Sequence, residues 1–449
     1  MAFRDYFQED MYYRQNSAEM KDLQLRKLRE RLKIFSESSP LVNMLIENTG
    51  IKPEEVTMEQ YNAAVPVITQ RDAGGSSSGS DIVGNRAALS GVNEQDFLLL
   101  CSTSGTTGEP SPYFLTEEDL QVTAHGLARA MWMISGESEE ELRSFRAVQA
   151  FALSMVGAGM PMVETLIRLG IPVIPVGAEG GTERIVYFTQ KLRGNLLFST
   201  PSLAEHMAEV EPQKVKDLGF KRIVCGAEPG AGVIEVKKKM EADYGCPVVD
   251  AMGLLWGMAW VSCDHPEYGG MHFLADDFHI IQLVDPETQE NIPFEDGAVG
   301  QLVLVPLVGS LPPMRATPGD SVQVFTQPCK CGVPGWRMKV VGRTDDMLKV
   351  KGVVVFPAAI DGVIAGFVPQ VTGEFRITLD SPPPKVEPPL KLKVEYGENV
   401  KEERLQELAG EIAEEMHNRL KIRPQITWVK PMSLERSTYK TNFIEKNYE

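Results

Sequence analysis

Four short apolar runs decide the fold: Pro172-Val173-Ile174-Pro175-Val176, Asn195-Leu196-Leu197-Phe198-Ser199, Arg222-Ile223-Val224-Cys225 and Pro247-Val248-Val249-Asp250. Each has the length and bounding residues of a buried strand. The segments between them, at 183–191, 202–210 and 233–243, carry helical patterns. Strands separated by helices of about ten residues imply βαβ crossovers and a mainly parallel sheet. Upstream, strands are expected at 97–100 and 147–153. Helices are expected at 21–35, 117–134 and 160–169, the last ended by Gly170. The texture changes after 270. Strands at 278–284, 301–307 and 321–326 follow one another without long helices, which predicts an antiparallel subdomain packed on the sheet. A third unit begins near 343. It has a strand at 391–396, an amphipathic helix at 402–420 with Leu405, Leu408, Ile412, Met416 and Leu420 on one side, and a closing strand at 425–429. The expected class is α/β, with a large domain over 1–342 and a small α+β domain over 343–449.

Bulk properties exclude several function classes. The net charge of −17 opposes nonspecific binding to nucleic acid or anionic membranes, both of which need basic surface. No run approaches the roughly 20 apolar residues of a bilayer span. The opening Met1-Ala2-Phe3-Arg4-Asp5-Tyr6-Phe7 has no apolar region of a secretory signal behind its basic residue. Six cysteines in 449 residues do not form a disulfide scaffold. A cytoplasmic enzyme is the expected class, with no nucleic-acid or membrane partner. The run Gly74-Gly75-Ser76-Ser77-Ser78-Gly79-Ser80 reads as a flexible loop without chemistry.

The chemistry starts at Thr103-Ser104-Gly105-Thr106-Thr107-Gly108-Glu109-Pro110. Hydroxyls and glycines fill one tight loop directly after the apolar run Phe97-Leu98-Leu99-Leu100, read as a buried-type strand. Such a loop presents backbone N–H and side-chain O–H donors to an anion at no steric cost, and phosphate is the natural guest. A plain Ser/Gly linker would lack that strand context.

Further motifs follow in order: Gly226-Ala227-Glu228-Pro229, Arg315 with Gly319-Asp320, Gly342-Arg343-Thr344-Asp345-Asp346-Met347, and Arg436-Ser437-Thr438-Tyr439-Lys440. With the phosphate loop, their order and spacing resemble the adenylate-forming (acyl-CoA synthetase/ligase) superfamily, and within it the short phenylacetate–CoA ligase branch. Ile68-Thr69-Gln70-Arg71-Asp72, Gly180-Gly181-Thr182-Glu183-Arg184, Thr200-Pro201-Ser202, Phe356-Pro357 and Cys329-Lys330-Cys331-Gly332 support that branch. The resemblance covers about 65–441.

The resemblance implies an AMP-forming acid–CoA ligase. It would join a carboxylate to ATP as an acyl-adenylate and pass the acyl group to CoA. Domain 1–342 would hold the acyl and nucleotide sites, and domain 343–449 would be mobile and carry the catalytic Lys440. Ser104, Gly105, Thr106, Thr107 and Gly108 would cradle phosphate. Gly226, Ala227, Glu228 and Pro229 would border adenine and the acyl pocket. Asp320 would accept from the ribose hydroxyls, Arg343 would assist at ribose and phosphate, and Asp345 would be the hinge. Met155, Met252, Gly253, Leu255 and Trp256 would line an apolar pocket suited to an aromatic or apolar acid. A homodimer is common in that branch. One departure matters: the family's Mg²⁺-binding glutamate is Trp256 here, and an indole cannot ligate a hard cation. Two other readings therefore stay open, an ATP-independent acyltransferase on the same fold and a non-catalytic nucleotide or acyl-adenylate binder.

Cys329 and Cys331 form a two-thiolate knuckle that needs a second pair to complete a tetrahedron. Cys263 with either His265 or His272 can supply it. The resemblance favours His272, in Gly269-Gly270-Met271-His272, and a structural Zn²⁺. Cys101, Cys225 and Cys246, beside expected strands, read as buried apolar thiols.

Overall fold

The computed structural model describes residues 3–69, 82–102, 112–253, 257, 259–265, 267–436 and 442–448. A 14-stranded sheet organises the larger part of the chain. One wing is parallel. Its strands run in the order Val173–Pro175, Ala147–Gln149, Leu196–Ser199, Arg222–Cys225 and Val248–Met252. Helices Gly181–Leu192, Pro201–Val210 and Ile234–Tyr244 make the crossovers. The strand expected over 172–176 is the sheet edge rather than a buried centre, and Pro175 is exposed there. An edge tolerates proline because no ladder partner needs its missing N–H.

The antiparallel strands do not pack on this sheet, as expected from sequence. They extend it. Val248–Met252 pairs antiparallel with Trp260–Ser262, and Met271–Phe273, Arg337–Arg343, Asp320–Phe325 and Val299–Pro306 follow edge to edge. Arg315–Thr317 and Val67–Thr69 finish this end. Arg315 is buried and spends its guanidinium on Gln282 Oε1 (2.9 Å) and on the Asn62 and Val65 carbonyls (3.0 Å each). It anchors the end of the sheet.

The strand before the Ser/Thr/Gly loop also departs from expectation. Phe97–Ser102 belongs to a separate antiparallel hairpin with Pro112–Thr116. Its burial alternates, and Leu98 and Leu100 are 58% and 44% exposed. A consecutive Leu run looks like a two-face-buried strand, but along Phe97–Ser102 itself burial alternates, with Phe97 and Cys101 inside and Leu98 and Leu100 outside. Next comes the helix Glu117–Ile134, capped reciprocally by Thr116 and Asp119. It is buried along most of its length against the parallel wing.

Residues from 348 onward close a separate hydrophobic cluster. Its sheet runs Pro424–Val429, Leu390–Tyr396, Val371–Leu379, Ile444–Lys446, with helices Pro357–Ala365 and Leu405–Leu420 against it. Leu408, Ile412 and Met416 are buried and Leu405 and Leu420 half-buried, so the sequence periodicity of that helix marks its inner face. Among the described residues no helix is long and apolar enough to cross a membrane.

Candidate active site

The carboxyl ends of the parallel strands form one rim. There Gly226 follows Arg222–Cys225, and a Cβ on it would lie 2.7 Å from the Ala251 carbonyl. The strand ends approach so closely that only glycine fits. Ala227 takes φ +71°, a left-handed conformation that costs an L-residue about 1 kcal/mol. The Glu228 carboxylate accepts from the Ser202 N–H at 2.7 Å, at the end of the neighbouring strand Leu196–Ser199. Together with Thr200, which accepts from Leu203 N–H at 3.2 Å, it caps the helix Pro201–Val210.

Met155 lies on the loop after Ala147–Gln149. It too takes positive φ, +61°, and its side chain is 58% exposed. The Ser102 N–H donates to its carbonyl at 2.7 Å, and Ser102 bridges to Val156. The stem of the Ser/Thr/Gly loop is thereby joined to the Met155 loop. Met252 ends its strand half-buried beside the Trp260 cluster, and Gly253 follows at φ +58°. Ser104, Gly105, Thr106, Thr107, Gly108, Leu255, Trp256 and Lys440 lie outside the described residues.

Residues from two separate sequence motifs meet at one point. Asp320 and Arg343 sit opposite each other in paired strands, and their side chains approach to 3.6 Å. Arg343 also lies 3.2 Å from the Asp345 carboxylate. Its guanidinium covers the turn at Gly319, whose φ is +87° and where a Cβ would lie 2.8 Å from Arg343 Nη2. The Thr344 N–H donates to the Gly319 carbonyl at 2.8 Å. The connection into the smaller unit is therefore tied to the same turn that presents Asp320.

Between the two units lies a cavity of about 530 Å³. Glu205, Glu209, Glu228 and Glu235 of the larger unit line it with Asp361 and Glu374 of the smaller; Lys239 and Arg436 are its cations. Burial, with neighbouring carboxylates adding to it, raises Glu205 to about 7 and holds Asp361 well above the ordinary aspartate range. Ion pairs also cross between the units: Arg436 with Glu209 (3.3 Å), Arg419 with Glu235 (3.2 Å), and Lys349 with Glu287. Partly exposed pairs of this kind contribute about 0–1 kcal/mol each. Arg436 is bound more firmly at home. It grips the fully buried Glu395 with two hydrogen bonds of 2.7 and 2.8 Å. The acidic crevice left no signal in the sequence, because its carboxylates come from helices, a loop and a strand distant along the chain.

The sulfur cluster assembles from the antiparallel wing. Cys263, His272, Cys329 and Cys331 place one donor atom each within 4.8 Å of all the others. His265 is not among them. A tetrahedron with metal–sulfur bonds of ~2.3 Å has edges of ~3.8 Å. Cys263 Sγ and Cys329 Sγ are 3.8 Å apart, and Cys331 Sγ lies 3.4 Å from His272 Nε2. His272 is fully buried. Three sulfurs this close cannot all ionise without a cation between them, so the donor set suits a borderline-soft divalent metal.

Residues 11–305 match the family model of the AMP-binding enzyme, and residues 352–446 match that of the AMP-binding enzyme C-terminal domain. The chain belongs to the AMP-binding enzyme family. Similar proteins include the phenylacetate-coenzyme A ligases of Thermus thermophilus (27% identical over 441 residues, 93% of this chain and 94% of the relative) and Pseudomonas putida (27% over 345 residues, 75% and 74%). Among solved structures, 2-hydroxyisobutyryl-CoA ligase in its postadenylation state superposes with TM-score 0.82 at 23% identity, over 97% of this chain and 91% of that one. The same ligase in its thioesterification state scores 0.61 at 24% identity, over 98% and 92%. This AMP-binding enzyme therefore has the fold of that ligase.

Proposed function

We propose that this AMP-binding enzyme is an AMP-forming acid–CoA ligase. A carboxylate oxygen of an aromatic or other apolar acid attacks the α-phosphorus of ATP, and pyrophosphate leaves. The CoA thiol then attacks the acyl carbonyl, and AMP leaves. The meeting of Asp320, Arg343 and Asp345 at the Gly319 turn carries this reading. It gives a carboxylate to accept from ribose hydroxyls and a guanidinium for ribose or phosphate charge, at the root of a unit that can swing. The curated relatives that act on phenylacetate support an aromatic acid. Ser104, Gly105, Thr106, Thr107 and Gly108 would grip the phosphates, and Gly226, Ala227 and Pro229 would border the adenine. Met155, Met252, Gly253, Leu255 and Trp256 would shape the acyl pocket. The Lys440 ammonium would oppose charge developing on the acid and α-phosphate, since electrostatic stabilisation is the main lever in such chemistry. Rotation about Asp345 would then withdraw Lys440 and open the thiol's path. Weak exposed ion pairs between the units fit a joint that must part. ATP would bring Mg²⁺ with it.

Cys263, His272, Cys329 and Cys331 would hold a structural Zn²⁺. All four positions would be filled by protein, so the site is a staple of the antiparallel wing, with no open position for substrate.

Pyrophosphate release measured across aromatic acids, with and without CoA, tests the assignment. ATP-dependent release is expected. Acyl-thioester exchange without ATP would instead identify an acyltransferase, and ligand binding with neither activity a non-catalytic relative. Lys440→Ala should lower the adenylation rate by about 10²–10³ and spare thiolation of a supplied acyl-adenylate. Unchanged adenylation would remove Lys440 from the mechanism.

A further inference from the structure

The loop at 151–159 carries a strained residue at an exposed position, Met155 at φ +61°. A conformation of that kind persists only where neighbours over-determine it. Three ties do so here. Ser102 N–H holds the Met155 carbonyl at 2.7 Å. Gln149 Nε2 holds the Ala158 carbonyl at 2.7 Å. The third tie is Glu179, which follows the edge strand Val173–Pro175. Its Oε1 accepts from Leu153 N–H (2.9 Å), Ser154 N–H (3.0 Å) and Ser154 Oγ–H (2.7 Å).

A carboxylate at this reach suits the site on both oxygens: Oε1 takes the three donors, and Oε2 lies 3.2 Å from the Leu153 N–H. Two of the three donors are consecutive backbone N–H groups converging on one oxygen, an arrangement that favours negative charge. A glutamine would bring an NH₂ that competes for the same space, and an aspartate is one methylene short. The backbone is cut to suit: Gly177 has φ +73°, and a Cβ there would lie 2.5 Å from Glu179 Oε2. Against burial that would raise it, the hydrogen bonds from Ser154 and Leu153 hold Glu179 below the ordinary glutamate value. Among the described residues no cation pairs with it, so ion pairing does not account for its placement.

We propose that Glu179 is a positioning residue: it sets the 151–159 loop, which carries Met155 of the proposed acyl pocket, against Ser102 at the stem of the Ser/Thr/Gly loop. This rests on the ligase reading given above. Glu179 need touch neither substrate. It acts through Ser154 and the Met155 carbonyl, and its loss frees the strained turn to relax. The hairpin has a second link to the same loop, Tyr113 with the Gly157 backbone, which keeps the two in contact but does not fix Met155.

The test compares wild type, Glu179→Ala and Glu179→Gln by ATP-dependent pyrophosphate release, with phenylacetate as probe acid. Glu179→Ala should raise KM for the acid and for ATP together, each about tenfold, with Tm held within about 2 °C. Glu179→Gln, which keeps one acceptor oxygen, should fall between the two. Amide exchange at 152–156 should quicken about tenfold in Glu179→Ala, a readout independent of turnover. An active wild type whose Glu179→Ala variant keeps both KM values overturns the role of Glu179 and leaves the ligase reading intact. A fall in Tm with both KM values kept reduces Glu179 to a structural residue. A wild type that releases no pyrophosphate with any acid refutes the ligase reading, and this role with it.

Discussion

Two regions of this enzyme crowd negative charge, and they resolve it in opposite ways. At the sulfur cluster, donor atoms of His272, on a strand, and of three loop cysteines come within 4.8 Å of one another in the larger unit. There a bound cation would relieve the charge if the proposed metal is held. In the crevice between the units, Glu205, Glu209, Glu228 and Glu235 face Asp361 and Glu374 across a seam spanned by partly exposed ion pairs and by apolar contacts such as Ala365 against the larger unit's core. There the charge is relieved by protons, by Lys239 and Arg436, or by moving apart. The first arrangement suits a fixed staple. The second suits a joint whose closed form is only marginally favoured.

The contrast breaks most visibly at the staple. Replacing Cys263 by alanine should release a stoichiometric divalent metal and destabilise the larger unit by at least about 3 kcal/mol. Metal content by atomic emission and a thermal melt check both. A variant that melts like wild type would mean that the sulfurs form no staple.

At the joint, Arg436 is held by the buried Glu395 of its own unit and reaches Glu209 of the other. Arg436→Ala leaves the buried Glu395 carboxylate without its two-pronged partner, and removing one member of such a pair costs about 3 kcal/mol. Because Arg436 precedes Lys440 by four residues, adenylation should suffer more than thiolation of a supplied acyl-adenylate. Single-turnover measurements of the two half-reactions separate them. Equal losses would show that the residue serves only the stability of its own unit.

A gentler test uses pH. Glu205 has its closed-form value raised to about 7 against an ordinary glutamate value of 4.5. The proton it takes up therefore stabilises the closed arrangement fully below about 4.5, and that support is lost as pH rises through about 7. The groups facing it are Lys239 at 3.7 Å, with Asp243, Glu228 and Glu374, all of which share its field. Small-angle scattering should show a more compact particle at pH 6 than at pH 8, and Glu205→Gln should flatten the difference. The smallest effect is expected from Arg419→Ala, which removes one exposed bridge to Glu235. It should change stability by under about 1 kcal/mol and leave the staple's metal untouched.

Most of the parallel wing could be read from the chain, because a strand and its crossover helix are each specified by neighbours a few residues away. The helix Glu117–Ile134 has the expected bounds for that reason: Thr116 and Asp119 cap its start. Apolar runs were less informative about their surroundings. Phe97–Ser102 and Val173–Pro175 look like interior strands by composition, yet one forms a separate hairpin and the other an edge. Pairing partners come from distant sequence and leave no local mark. The same limit applied to the antiparallel strands. Their lack of helices was legible, but whether they stack on the parallel sheet or lengthen it depends on the single ladder between Val248–Met252 and Trp260–Ser262.

What the amino-acid sequence determined alone was the set of chemical parts and their order. It supplied a hydroxyl-rich loop, a glycine turn before Asp320, a lysine-bearing tail and a cysteine knuckle, because each is a short motif of contiguous residues. What only the tertiary structure decided was which parts meet. Strand register set Asp320 beside Arg343 and selected His272 over His265 for the sulfur cluster. The fold also brought Glu179 to the Met155 loop and faced the carboxylates of two units across one crevice. These juxtapositions join residues tens to hundreds of positions apart. Ladder pairing and core packing, acting over the whole chain at once, bring them together.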